Sequence, residues 1–322
     1  MKIAFAGKGG SGKTTLSALF TRYLAAAGAT VAAVDADINQ NLGAALGLAP
    51  EDLARIPPLG SHLTEIKEIL RGSNPRIASA ASMVKTTPPG RGSRLLDMGP
   101  DNPVHRRFGR PAAGATLMVT GPFSEDDLGV SCYHSKVGAA EMYLNHLVDG
   151  PGEYAVVDMT AGADSFASGL FTRFDVTFLV AEPTLRGVGV YRQYAEYARD
   201  HDVEIRVIGN KVQDESDVEF LREHVGSALA ACFAYSPFVR AMEKGRHPDL
   251  SELEEENVKT LAWMRDSVDA TPKDWARFTR QSAQFHARNA RAWANAATGA
   301  DLEAQIDPEF VMGPEALEAQ RA

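Results

Sequence analysis

Residues 7–15 read Gly7-Lys8-Gly9-Gly10-Ser11-Gly12-Lys13-Thr14-Thr15. They follow a short apolar run, Lys2 to Ala6, and precede an alanine-rich, helix-favouring stretch from Lys13 to Ala27 that Gly28 stops. A second apolar run, Thr30 to Val34, ends in Asp35, so the first 35 residues spell strand, glycine loop, helix, strand. The spacing of Gly7, Gly12, Lys13 and Thr14 is that of a phosphate-cradling loop. Glycines let successive backbone N–H groups converge on phosphate oxygens at the positive end of a helix. Lys13 is placed to reach the β- and γ-phosphates, and the Thr14 hydroxyl to ligate Mg²⁺. The expected ligand is a nucleoside triphosphate, held by Gly9, Gly10, Gly12, Lys13, Thr14 and Thr15.

The same rhythm continues outward. Strand-like runs recur at Ala115–Thr120, Tyr154–Val157, Val176–Ala181, Ile205–Gly209 and Ala231–Ala234. Helical text separates the later ones, at Ser135–Leu147, Thr184–Arg199 and Val218–Val225. Strands without polar alternation need cover on both faces. The expected fold is therefore α/β: a doubly wound, mostly parallel sheet with helices on both faces and right-handed crossovers. Two stretches break the rhythm. Residues 49–111, rich in Pro, Gly, Arg and Ser with one helix at Leu63–Leu70, read as an insertion or a mobile flap over the sheet's carboxyl edge. Beyond Ser251 only helical text remains. The expected division is a P-loop domain over 1–250 and a helical C-terminal extension over 251–322. In that extension Trp275, Phe278, Phe285 and Trp293 share one helical face, punctuated by Arg277, Arg280, Arg288 and Arg291.

Composition narrows the setting. The chain has 322 residues, enough for a substantial core. Lys and Arg number 33 against 42 Asp and Glu, a formal charge of −9, which supplies no field for DNA or an anionic membrane. There are two cysteines, Cys132 and Cys232, too few for a disulfide framework. No run of 18 apolar residues occurs, and the N-terminus has no signal-peptide pattern. A cytoplasmic protein is expected, with Cys232 in the core on an inner strand.

The early lysine, Lys8, in the run K-G-G-x-G-K-T-T makes the loop resemble that of the deviant Walker A ATPases. That family includes the division-site and plasmid-partition ATPases of the MinD/ParA type, the nitrogenase iron protein and the nickel-insertion ATPases of carbon monoxide dehydrogenase. The resemblance runs through ordered landmarks over roughly residues 1–245. It implies a homodimer that sandwiches two ATP molecules, with Lys8 stabilising transition-state charge on the partner's nucleotide as an arginine finger does. It implies that Asp37 positions the attacking water, that Asp35 sits near Mg²⁺, and that Asp158 accepts from a magnesium-bound water. Gly162 would sense the γ-phosphate, Asn210 would bond the adenine edge, and the segment carrying Pro237 would wrap the base. Slow hydrolysis without a partner is the further implication.

Cys132 and His134 precede the helix leading to the Asp158 strand, where the nickel-insertion ATPases carry a Cys-x-Cys pair. In an extended segment residues i and i+2 project to one side. Two copies about a two-fold axis would offer Cys₂His₂, a tetrahedral set suited to Zn²⁺ and to other divalent ions such as Ni²⁺. The iron protein's second cluster cysteine has no counterpart, since Ser165 stands there. Two functional classes follow: an ATP-driven switch that assists metal insertion into a client metalloenzyme, and an ATP-driven positioning or regulatory protein without metal.

Overall fold

The computed structural model describes residues 1–122, 133–160 and 169–321, the side chains of 133–135 excepted. Eight strands form one sheet: β1 (Lys2–Gly7), β2 (Thr30–Ala36), β3 (Arg110–Ala112), β4 (Ala115–Val119), β5 (Glu153–Met159), β6 (Val176–Ala181), β7 (Ile205–Val212) and β8 (Leu229–Ala234). Their order is β3-β4-β2-β5-β1-β6-β7-β8. Every pairing is parallel except β3 with β4. The central strands are buried along almost their whole length, as a sheet covered on both faces requires. Strand β3, absent from the sequence reading, is three residues long, contains Pro111 and lies at an edge, where a missing N–H is tolerated.

Alternate residues of each strand feed opposite faces. Ile3 and Phe5 point to the face carrying Leu16, Leu19 and Phe20 of the Lys13–Ala26 helix and Leu261, Met264 and Val268 of the Glu255–Asp269 helix. Ala4, Val34 and Val157 point to the other, against Leu59, Ile66, Leu70, Phe108 and Tyr143.

Those two clusters revise the expected layout. The 49–111 stretch is not a flap over the carboxyl edge: Leu59, Ile66, Leu70, Ile77, Met83 and Leu96 are buried in one of the two main layers. Their irregular spacing hid this from periodicity. Nor does residue 250 divide two cores, because the Glu255–Asp269 helix shares its apolar cluster with the phosphate-loop helix. The last residues then clasp the 73–97 segment. Arg91 forks onto Asp307 at 2.8 and 3.0 Å, and Gln320 bonds both the N–H and the carbonyl of Leu95.

Two smaller expectations also change. The Trp275–Asn289 helix buries Phe278, but a π-helical turn at Ala290–Ala294 alters the winding, and Trp293 is 48% exposed. Strand β8 is an edge strand rather than an inner one, and Cys232 on it is half-buried, its thiol pushed up by that burial. Among the described residues no helix is long and apolar enough to cross a membrane.

Candidate functional site

The carboxyl ends of β1, β2, β5 and β7 deliver the residues singled out in the sequence to one edge of the sheet, the position where open parallel sheets bind ligands. The loop after β1 turns through Gly7 (φ +154°), Gly10 (φ +85°) and Gly12 (φ +94°). A Cβ on Gly7 would lie 2.6 Å from the Val180 carbonyl oxygen, so a side chain there would push β1 from β6. Gly12 caps the Lys13–Ala26 helix in the left-handed conformation. A Cβ on Gly9 or Gly10 would meet nothing within 4 Å, so this part of the loop faces open space. A cavity of about 860 Å³ begins there, lined by Gly9, Gly10, Gly12, Lys13, Thr14, Thr15 and Asp37 on its polar side.

Lys13, 7% exposed, reaches back from the first turn of its helix to Asp37 Oδ2 at 2.5 Å. Thr14 Oγ1 donates to Asp158 Oδ2 at 2.6 Å. Asp158 pairs in register with Asp35 across β2 and β5, and both are fully buried. Burial, assisted by the facing Asp158, raises the Asp35 carboxyl well above its ordinary range. Burial likewise pushes Asp158 up to about 7, against the opposing pull of Lys13 and the Thr14 hydrogen bond.

Asp35, expected near the metal, stands beside Asp158 and uses both carboxylate oxygens within the chain. Its Oδ2 accepts from the Leu42 N–H at 2.8 Å and its Oδ1 from the Asp37 N–H at 3.2 Å. Both oxygens therefore organise the 37–42 loop. Asn39 adds backbone and side-chain bonds to Asp37 Oδ1, both 2.9 Å. Gln40, which the sequence reading passed over, takes φ +51°. Its amide bonds the Asp37 carbonyl, and its Oε1 accepts from the Gly121 N–H at 3.1 Å, fastening the loop to the end of β4. A polar residue three positions beyond Asp37 is the only signal that could have flagged it.

The group of acids and one lysine fits a divalent cation. Asp158 Oδ1 is buried without a hydrogen-bond partner, and Thr14 Oγ1 has acceptor capacity left. Thr14 directly and Asp158 through water are the residues that would hold Mg²⁺. Among the described residues no three His, Cys, Asp or Glu side chains form a ready-made metal cage.

Lys8 lies in the same loop, half-buried, and its ammonium forms no hydrogen bond or ion pair among the described residues. A separate cavity of about 190 Å³ opens between Gly12, Thr15, Asn210, Phe233, Tyr235 and Ser236, on the side expected for the base. Asn210 lines it and donates from Nδ2 to the Ser11 carbonyl at 2.7 Å, which leaves its Oδ1 as an acceptor. Pro237 is exposed and starts the Pro237–Glu243 helix without lining that cavity. Ser236 caps this helix and donates to Glu254 at 2.7 Å. Cys132 and Gly162 lie outside the described residues. His134 is on the first turn of the Tyr133–His146 helix, so its backbone is helical, not the extended one on which the Cys-x-His reading relied.

Comparison with known proteins agrees with this architecture. The chain is 29% identical over 222 residues to the carbon monoxide dehydrogenase accessory protein CooC of Rhodospirillum rubrum, a match covering 69% of this chain and 78% of that one. It is 30% identical over 230 residues to an uncharacterised ATP-binding protein of Methanocaldococcus jannaschii, covering 71% and 81%. Among solved structures, the MinD cell-division protein in complex with MinC from Aquifex aeolicus superposes with a TM-score of 0.50 at 19% identity, over 85% of this chain and 97% of that one. A plasmid partition protein from Borrelia burgdorferi bound to AMPPNP gives 0.52 at 14%, over 82% and 96%. These two share the fold. A sequence-family model spans residues 2–230, from the start of β1 into β8, and the chain belongs to the family it describes, the CobQ/CobB/MinD/ParA nucleotide-binding domain.

Proposed function

We propose that the chain is an ATP-binding and ATP-hydrolysing switch that closes into a homodimer on ATP and assists metal insertion into a partner metalloenzyme. The Lys13–Asp37 pair beside Thr14 and Asp158 carries the ATPase part of this reading. The likeness to CooC supports the metal part.

Phosphoryl transfer asks a protein mainly for positioning and charge. With ATP in the 860 Å³ cavity, Lys13 exchanges Asp37 for phosphate oxygens, because a triphosphate offers it more negative charge than one carboxylate. Asp37, released from the ion pair and still held by the Asn39 N–H, is then free to orient a water. Mg²⁺ would neutralise phosphate charge next to Thr14 and Asp158. Lys8, with no counter-charge among the described residues, is available to a nucleotide on a second copy. The cargo, nickel or zinc, would be bound through Cys132 and His134 of both copies. The net charge of −9 argues against DNA or an anionic membrane as the target.

The test is elemental analysis of protein purified without a metal-affinity tag, with and without ATP and magnesium, alongside light scattering. The reading expects an ATP-dependent dimer with about one transition-metal ion, lost in Cys132→Ser. A monomer in every nucleotide state removes the switch; a dimer without metal removes the cargo.

A further inference from the structure

Strand β7 ends in Asn210-Lys211-Val212, and its pairing with β8 slips there: Asn210 faces Phe233 and Val212 faces Ala234, leaving Lys211 as an extra residue. Lys211 takes φ +61°, the left-handed region that costs a non-glycine residue about 1 kcal/mol. In a regular strand, consecutive side chains point to opposite faces. A bulge with a left-handed residue re-aims them, and here both neighbours reach the same target. Asn210 Nδ2 donates to the Ser11 carbonyl at 2.7 Å, and Lys211 Nζ donates to the Gly10 carbonyl at 2.8 Å. Glu182, one residue beyond β6, pairs with Lys211 Nζ and holds it in place.

Peptide planarity converts these two contacts into an orientation. In a trans peptide the carbonyl of one residue and the N–H of the next point opposite ways, and no peptide bond among the described residues is cis. Drawing the Ser11 carbonyl toward β7 turns the Gly12 N–H away from it. Drawing the Gly10 carbonyl the same way sends the Ser11 N–H across the loop, where it bonds the Lys8 carbonyl at 3.1 Å and closes the turn. The approach of loop and strand is tight: a Cβ on Gly12 would lie 2.2 Å from Asn210 Nδ2.

We propose that Lys211, held by Glu182, is a positioning residue for phosphate recognition, bracing the 7–13 loop from β7 so that its N–H groups are arranged before a nucleotide arrives. This rests on the nucleotide-binding reading above. The strained backbone at Lys211 is retained because the contacts to Gly10 and Glu182 over-determine it. Lys211 also lines the 190 Å³ cavity on the base side, so a direct contact with the base is the competing account.

Calorimetric titration with ADP and with inosine diphosphate, in magnesium buffer, separates them. The two ligands share their phosphates and differ at the base edge. Lys211→Met is expected to weaken both by the same factor, about tenfold, the loss of one charge-assisted hydrogen bond. Lys211→Arg is expected to restore most of the affinity, and Glu182→Gln to weaken both ligands about threefold. The melting temperature of the nucleotide-free protein should stay within about 3 °C, since the strut lies at the surface. ADP binding to Lys211→Met at the wild-type affinity overturns the proposal, as does a loss confined to one of the two ligands. Should Lys211→Met not fold, unchanged ADP affinity in Glu182→Gln overturns it equally. If the wild type binds neither ligand, the nucleotide reading falls and takes the strut with it; if the wild type binds and only the variants fail to differ, the strut alone falls.

Discussion

Lys13 Nζ lies 2.5 Å from Asp37 Oδ2, with both side chains almost wholly buried. The lysine that a nucleotide needs is thus held by the carboxylate proposed to orient water. A nucleotide must break this pair, so the two residues should respond to substitution in opposite senses. Asp37→Asn frees Lys13 and is expected to bind ADP as tightly as wild type or a few-fold more tightly, while ATP turnover falls about 100-fold. Lys13→Gln is expected to lose ADP affinity by 100-fold or so, as a buried charge-assisted contact disappears. ADP titration and phosphate release on the two variants check this. Parallel losses of affinity would show that Asp37 binds nucleotide rather than competing for Lys13.

Two loop glycines only three residues apart should differ sharply. Gly12 sits at φ +94° with its Cβ direction blocked by Asn210. Gly9 has ordinary backbone and open space around it. Gly12→Ala is expected to destabilise the fold by about 2 kcal/mol or more, combining a left-handed alanine with displacement of a buried amide. Gly9→Ala should leave the urea midpoint within error. Equal midpoints for both variants would mean that the loop moves freely away from β7.

Lys8 offers a third contrast. Because its ammonium makes no hydrogen bond or ion pair among the described residues, Lys8→Ala is expected to leave the fold and ADP affinity unchanged and to lower ATP turnover about 100-fold or more, within the range of a lost arginine-finger charge. Turnover per subunit should also rise with protein concentration in the wild type and not in the variant. Normal turnover in Lys8→Ala would exclude a reaction across the dimer.

The parts of this site that were legible in sequence are those encoded by contiguous residues or strand ends. Gly7, Gly12, Lys13 and Thr14 carry their geometry within eight positions, and Asp37 and Asp158 are marked as acids at or just past apolar runs. What remained hidden depends on long-range pairing. The resemblance implies that Asp35 sits near the metal; that its oxygens also meet the Leu42 and Asp37 N–H groups depends on the turn at 37–42. The contact of Asn210 with the Ser11 carbonyl depends on the β7 bulge, which no local pattern in the sequence marks. The 49–111 stretch looked like an excursion because Leu59, Ile66, Ile77 and Met83 follow no single period, yet all four are buried. Irregular segments bury side chains by where they land, and a 3.6- or 2-residue period cannot register that.

The buried histidines set how the fold responds to acid. His146 is fully buried, its Nδ1 bonds the Met142 carbonyl at 2.9 Å, and its Nε2 has no hydrogen-bond partner. Burial, with some repulsion from Lys2, lowers its pKa to about 4. His105, beside the Tyr143 hydroxyl at 2.7 Å, is lowered to about 4 by the same cause. In the unfolded chain both return to about 6.5. Between those values the unfolded state binds the extra protons, so stability is present in full above about pH 6.5 and is lost as pH falls toward 4. For His146 the loss approaches, at most, about 3 kcal/mol at the acid end. His146→Met removes that proton and fills much of the same volume, so its stability should decline less than wild type's between pH 7 and pH 5. Urea midpoints at the two pH values measure the difference. An identical decline in both proteins would mean that His146 is solvated in the native state and titrates normally.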